Sequence, residues 1–491
     1  MVKRSWRNFD YALLGILLIL ASFGVVMVYS ATINTAGIED AARRQATFLL
    51  AGVAVLLITA SVDYHLLDLI QHPFPLLAPL VLGAGAVGLV ITWRAGQLPT
   101  GLEEIAPSLF LADGPAMLLG LGLILAVYAA DRLWVQKIDL PMTRAVAVIA
   151  LLLLAGAGLF FLRRGGPERM AALAPYLLVG GLALLYLLDC LTLRFTETLH
   201  NPLYVLALGL LGIIFVVGQV SGGSQRWLGA GKVQPSEIAK ILVILILAKF
   251  LADREDQMEK FSTVFKSLLL VGLPMLLIYL QPDLGTALTL IAIWAAVVWM
   301  AGIRFRHLLV LVGMGVAALP LLWFSMEDYM KQRITLFLNP ASDPDSYFNV
   351  HQALVSIGSG GWTGKGLTKG TQSQLHFLRV RHTDFIFAVT AEELGLLGAA
   401  AMMILIVLIL WRTLRVAERS RDTFGRLICA GVAAVILFQS VVNIGMNLGL
   451  MPVTGIPLPF VSYGGSSLLT LMLGIGLVES VAMRHKKLEF D

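Results

Sequence analysis

Asp384 closes the polar run Arg379-Val380-Arg381-His382-Thr383-Asp384 and stands directly before an apolar segment that begins at Phe385. A carboxylate among cations at the edge of an apolar run suits two jobs: the cations attract an anionic diphosphate, and the carboxylate takes a proton from an attacking hydroxyl. The structural alternative is an N-cap for the helix that follows, with His382 as a hydrogen-bonding loop residue. Glu237 and Lys240, three residues apart in Gln234-Pro235-Ser236-Glu237-Ile238-Ala239-Lys240, share one helix face and can pair. Pro235 and Ser236 are ordinary helix-start residues. A lysine in the first turns is not, because it opposes the helix dipole, although its stem allows it to snorkel outward. Ionisable groups at the edge of a lipid-crossing helix are costly and usually functional. Asp283, in Gln281-Pro282-Asp283-Leu284-Gly285-Thr286, is either a further site carboxylate or a cap for the helix starting at Leu284. Arg226, in Ser224-Gln225-Arg226-Trp227-Leu228, and Ser462, in Ser462-Tyr463-Gly464-Gly465-Ser466-Ser467, complete the polar positions facing the same side. Lys365 lies in Gly358-Ser359-Gly360-Gly361-Trp362-Thr363-Gly364-Lys365-Gly366. That run fails as a phosphate-cradling P-loop at both ends, since Ser359 takes the first Gly position and Gly366 the place of the metal-binding hydroxyl. Its glycines read as flexible turns.

The elements that must position these residues are set by composition. Of 491 residues, 58% are hydrophobic and 14% charged, whereas soluble domains are about 25% charged. The fold class is therefore an all-α polytopic membrane protein. Spans are expected near 11–30, 45–61, 74–92, 115–130, 143–162, 173–189, 202–219, 236–251, 267–280, 285–303, 308–324, 386–411, 427–448 and 464–482, at roughly 20 apolar residues per crossing. The basic clusters at Lys3/Arg4/Arg7, Arg254/Lys260/Lys266, Arg304/Arg306, Arg412 to Arg426 and Arg484/Lys486/Lys487 fall on one face, which the positive-inside rule makes cytoplasmic for both termini. Arg163, Arg164 and Arg169 break that pattern. The net charge of +5 is thus a topology signal, not one for nucleic acid, and Cys190 and Cys429 have no metal or redox spacing. The polar stretch 326–384 cannot cross lipid and becomes a large extracytoplasmic loop. The run from Asn443 through Pro459 to Ser467 reads as a broken, polar re-entry lining a cavity.

These motifs resemble the SEDS family (shape, elongation, division and sporulation) of peptidoglycan glycosyltransferases. The resemblance rests on Ser224 to Leu228, Gln234 to Lys240, Gln281 to Thr286, Arg381-His382-Thr383-Asp384-Phe385-Ile386-Phe387-Ala388 with Glu392-Glu393-Leu394-Gly395, and Pro457-Leu458-Pro459 with Val461 to Ser466. Together they cover 202–487 almost continuously. Ile357 to Gly361, Gly366 and Gly370-Thr371-Gln372-Ser373-Gln374-Leu375 are closer to the RodA branch than to the FtsW branch. The resemblance implies about ten core spans, so 66–200 is expected to be an insertion of about four helices between core segments 1–65 and 201–325, followed by the catalytic loop 326–384 and core helices 385–491. It implies polymerisation of lipid II in cell elongation at the outer face of the bacterial cytoplasmic membrane, with a class B penicillin-binding protein as partner. Asp384 matches the family's essential aspartate, and Glu237, Lys240 and Asp283 match other important polar positions. Arg226, Arg379, Arg381, His382, Lys365 and Ser462 complete the expected substrate contacts. No metal-ligand set is evident, though a divalent cation (Mg or Mn) would serve the departing diphosphate. A lipid II flippase and a non-catalytic scaffold for a transpeptidase are the alternatives. Arg379-Val380 stands where relatives often carry Pro-Glu, which makes the entrance more basic.

Overall fold

The computed structural model describes residues 6–33, 38, 40–70, 201–217, 219–221, 224–227, 234–281, 283–326, 328–340, 344–375, 377–378 and 380–484. The four spans expected near 74–92, 115–130, 143–162 and 173–189, and Arg379, lie outside them. The chain forms two units, 1–68 with 229–491, and 69–228. The described part of the second unit is α4 (Pro202–Val217), followed by an antiparallel hairpin of β1 (Gln219–Ser221) and β2 (Ser224–Trp227), which carries Arg226.

In the first unit every other expected span is a helix. They are α1 (Tyr11–Thr32), α2 (Ala41–Ser61), α5 (Pro235–Ala252), α6 (Phe261–Leu280), α7 (Leu284–Met300), α8 (Phe305–Ser325), α12 (Ile386–Arg419), α13 (Thr423–Asn447) and α14 (Gly465–Met483). The short α3 (Tyr64–Ile70) follows α2. Several of these helices are long and apolar enough to cross a bilayer. Side-chain caps fix three starts: Asp10 accepts from Leu13 N–H at 3.1 Å, Asp283 from Thr286 N–H at 3.0 Å and Asp422 from Gly425 N–H at 2.9 Å. The centre is α13, which packs on α5, α7, α12 and α14 and is buried along most of its length. With no hydrophobic drive between helices in lipid, close approach of small residues does the holding. Gly476 of α14 meets the α2 backbone at Leu56, where an added Cβ would stand 2.8 Å from the Leu56 carbonyl oxygen.

The stretch 326–384 is not an open loop. It forms α9 (Asp328–Leu338), α10 (Pro344–Gly360) and α11 (Thr371–Gln374), with α10 lying along α12 and α13. The glycines form the expected turns, with Gly361, Gly364 and Gly366 at φ 54°, 78° and 98°, and these turns stitch the stretch to a break in α12. Gly395 leaves the helical conformation at φ 66°, ψ −166°, a region open mainly to glycine. The helix hydrogen bonds lost there are replaced from outside: Leu396 and Leu397 N–H donate to Gly361 and Trp362 carbonyls at 2.9 and 3.2 Å, and Lys365 and Gly366 N–H donate to Glu392 and Glu393 carbonyls at 3.0 and 2.9 Å. Broken helix at membrane depth is tolerated where protein re-satisfies the backbone in this way.

One end of the unit gathers the basic clusters. Arg412 pairs with Asp10 at 3.1 Å, Asp10 N–H donates to Glu479 at 3.0 Å, and Arg484 pairs with Asp63 at 3.2 Å. The described ends of the chain therefore share one side. Asp384 and Ser462 precede the opposite ends of α12 and α14 and lie on the other side.

Candidate active site

The extended segment 453–456, part of the irregular stretch between α13 and α14, is the spine of the site. A Cβ added to Gly455, whose φ is +75°, would stand 3.8 Å from Asp384 Oδ2, so only hydrogen faces the carboxylate there. On its other flank the start of α7 packs close, with a Cβ on Gly285 meeting the Thr454 carbonyl at 3.2 Å. Thr454 Oγ1 is buried with no partner among the described residues.

Asp384 is clamped by its backbone. Its carbonyl accepts from Asn443 Nδ2 at 3.1 Å and Asn447 Nδ2 at 2.9 Å, and Asn443 also donates to the Ile456 carbonyl at 2.8 Å. The turn before it is pinned twice more: Ser462 Oγ donates to Thr383 O at 2.6 Å, and Tyr463 N–H to His382 O at 2.9 Å. The helix-cap alternative does not describe Asp384. Phe385 is the N-cap residue and makes no side-chain cap, while Ala388 N–H is satisfied by Asn447 Oδ1 at 3.2 Å. Among the described residues no cation stands within ion-pair distance of the carboxylate, which remains half-buried at the surface of the turn. Burial pushes its pKa above the usual carboxylate value, with Thr383 and the charge of Arg333 pulling the other way.

The cations named from sequence are committed elsewhere. Arg381 is buried and donates from Nε to Ala31 O at 2.6 Å. His382 packs on the Tyr463 ring at 5.7 Å, and burial together with Arg381 lowers its pKa, so it is neutral at pH 7. Lys365 Nζ binds Glu392 at 3.0 Å and Thr371 at 2.8 Å. Glu392 also caps α11, accepting from Gln372 N–H at 2.9 Å and Ser373 N–H at 3.2 Å. Its neighbour Glu393 accepts from Ser30 Oγ and from Thr368 N–H at 3.2 Å. Two adjacent buried acids thus tie the 365–373 segment to α12 and α1.

Glu237 and Lys240 pair at 2.8 Å, with side chains only 4% and 2% exposed, and Glu237 Oε2 has no partner among the described residues. Asp283 caps α7 and also accepts from Gln234 Nε2 at 3.2 Å, which links it to the start of α5. The fold therefore gathers Asp384, Asp283 and Gln234 along one extended segment, with Glu237 and Lys240 on the helix that Gln234 opens. Arg226 belongs to the other unit. Sequence reasoning missed Arg333, Asn443 as a clamp and Asn447 as a stand-in cap. The signal for the last two was their four-residue spacing on a helix ending beside the polar re-entry.

Residues 168–487 match the family model for the FtsW, RodA and SpoVE proteins, described as cell cycle proteins. The match begins upstream of residue 202, where the quoted motifs start. The chain is 42% identical over 312 residues to the peptidoglycan glycosyltransferase MrdB of Escherichia coli, covering 63% of this chain and 84% of MrdB. It is 33% identical over 389 residues to stage V sporulation protein E of Bacillus subtilis, covering 77% and 98%. A solved chain from a peptidoglycan synthase complex that coordinates polymerization and crosslinking is 30% identical, covering 75% of this chain and 96% of that one, with a TM-score of 0.48. With its motifs in order from α5 to α14 and a family match over more than half its length, the chain belongs to the FtsW/RodA/SpoVE family.

Proposed function

We propose that this protein is a peptidoglycan glycosyltransferase of the bacterial cytoplasmic (inner) membrane, polymerising lipid II into glycan strands during cell elongation. The observation that carries the mechanism is the state of Asp384: its carbonyl is held by Asn443 and Asn447 and the carbonyl before it by Ser462, while its carboxylate neither caps a helix nor joins an ion pair among the described residues. Acids that serve only the fold are consumed by partners, as Glu392 is. Asp384 is held ready instead.

Two lipid II molecules lie with their tails in the outer leaflet and their diphosphates at the polar end of the bundle. The acceptor sugar's 4-hydroxyl attacks the donor's anomeric carbon, Asp384 takes the hydroxyl proton, and the bond to the diphosphate breaks with its electron pair leaving on the diphosphate oxygen. Base assistance of this kind contributes about 10²- to 10⁴-fold. Lys240, oriented by Glu237, offsets charge on the leaving group, and Asp283 holds the α5 and α7 starts together through Gln234. Arg381, His382, Lys365 and Ser462 shape the site through their internal contacts. Among the described residues no three potential metal ligands converge. A Mg or Mn ion would arrive on the diphosphate, and no step here depends on it.

Because the basic clusters lie at the end opposite Asp384, the positive-inside rule puts both termini in the cytoplasm and the site outside. A class B penicillin-binding protein is the partner that would crosslink the strands. Purified protein with labelled lipid II tests the reading: polymer from the parent and none from Asp384→Asn is expected. Polymer at the parent rate from the variant would remove Asp384 as the base, and lipid translocation without polymer would mark a flippase.

A further inference from the structure

Arg333 of α9 was not among the residues that the sequence pointed to, yet it is tied to the site from outside the helix bundle. Its guanidinium covers the ring of Tyr329, one turn earlier, at 5.5 Å, and its Nη1 donates to the Val453 carbonyl at 3.1 Å. Two residues beyond Val453, Gly455 faces Asp384 Oδ2. α9 is thus fastened to the segment that lies against the carboxylate.

The other groups around Asp384 do not supply a balancing charge. On its own turn Arg381 turns its Nε to the Ala31 carbonyl and forms no ion pair with the carboxylate, and His382 is neutral. From α13 come the amides of Asn443 and Asn447, and from 453–456 only uncharged residues. Asp283, on α7, is itself an acid and is occupied as a cap. The Glu237–Lys240 pair is closed on itself.

We propose that Arg333 is a positioning residue for Asp384, holding the 453–455 segment against the carboxylate with a cationic side chain. The inference rests on the polymerase reading given above. Two consequences follow. Loss of the Nη1 bond to the Val453 carbonyl loosens the placement of the base, and misplacement of about 1 Å costs on the order of 10²-fold in rate. Loss of the charge removes a force opposing burial, so Asp384 binds its proton more tightly and the acid limb of the rate profile moves to higher pH.

The test is the rate of lipid II polymerisation against pH for the parent, Arg333→Gln, Arg333→Lys and Asp384→Asn, each checked for a monodisperse folded state. Arg333→Gln is expected to lose about tenfold or more near neutral pH, with the deficit shrinking as pH rises. Arg333→Lys keeps the charge but not the planar guanidinium that reaches Val453, so it should show a smaller loss, with the acid limb where the parent has it. A loss in Arg333→Gln that is the same at every pH, or no loss, would overturn the proposal. If Arg333→Gln does not fold, Arg333→Lys still decides, since an acid limb displaced from the parent's would contradict a role for the charge. Failure of the underlying reading looks different: the parent makes no polymer, or Asp384→Asn polymerises like the parent.

Discussion

Asp63 and Asp384 lie at opposite ends of the same unit and have been driven in opposite directions. Burial alone would raise the pKa of each. At Asp63 it is outweighed by the hydrogen bonds from the His65 ring at 2.9 Å and backbone N–H at 3.1 Å and by the charge of Arg484, so the carboxyl sits below its usual range. At Asp384 burial wins, because no partner within ion-pair distance answers it among the described residues. The acid at the end that carries the basic clusters is finished by its neighbours, and the opposite one is left unfinished. Carboxylates perturbed in that way cluster at functional sites.

The sharpest way to break this comparison is Asp384→Asn, which should remove polymerisation by about 10²- to 10⁴-fold while leaving the fold at least as stable. The sign follows from the raised pKa. As pH climbs from the ordinary carboxylate value through the raised one, the unfolded chain ionises before the folded one and stability falls. Above that window the parent carries the full cost and the uncharged asparagine does not. Thermal unfolding at neutral pH with both proteins measures it, and a clearly lower Tm for the variant would contradict the account. Next in size is the clamp. Asn443→Ala with Asn447→Ala frees the Asp384 carbonyl and leaves it and Ala388 N–H unpaired, at roughly 1–3 kcal/mol per stranded group. The turnover loss should approach 100-fold, with the carboxylate itself intact.

The helices of the first unit were legible because apolar runs of the right length have few other fates, and the turn at Asp384 was legible because polar residues cannot enter lipid unpaired. What was not legible is where side chains point. Arg381 precedes Asp384 by three residues and yet serves the Ala31 carbonyl, whereas Arg333, 51 positions away, is fastened to the segment that lies against the carboxylate. Sequence distance carries no information about that. The folding of 326–384 was missed for a related reason: its glycines look like loop composition until the break at Gly395 supplies the backbone groups they bind. Gly395, inside an otherwise helical run, was the available signal.

The Glu237–Lys240 pair lies between the two cases, since it is paired like Asp63 yet placed near the Asp384 end. Lys240→Met strands a buried carboxylate and should destabilise by roughly 3–5 kcal/mol. Adding Glu237→Leu should recover most of that stability, because replacing both members of a buried pair by apolar groups is often neutral. If polymerisation stays lost in the stable double variant, the pair has a role in the reaction. Full activity there would make it structural.

The smallest effect belongs to Asp63→Asn. A depressed pKa contributes stability that is present above the ordinary carboxylate value, about 3.9, and is lost as pH falls through the depressed one. Asp63 is part-exposed and its partner His65 more so, so solvent screens the gain and the expected loss at neutral pH is slight. Melting curves of parent and variant should therefore differ a little at pH 7 and converge in acid, with polymerisation unchanged throughout. A variant that lost polymerisation while keeping its melting point would show that the Asp63 end also takes part in the reaction, and the contrast between the two aspartates would no longer separate structure from chemistry.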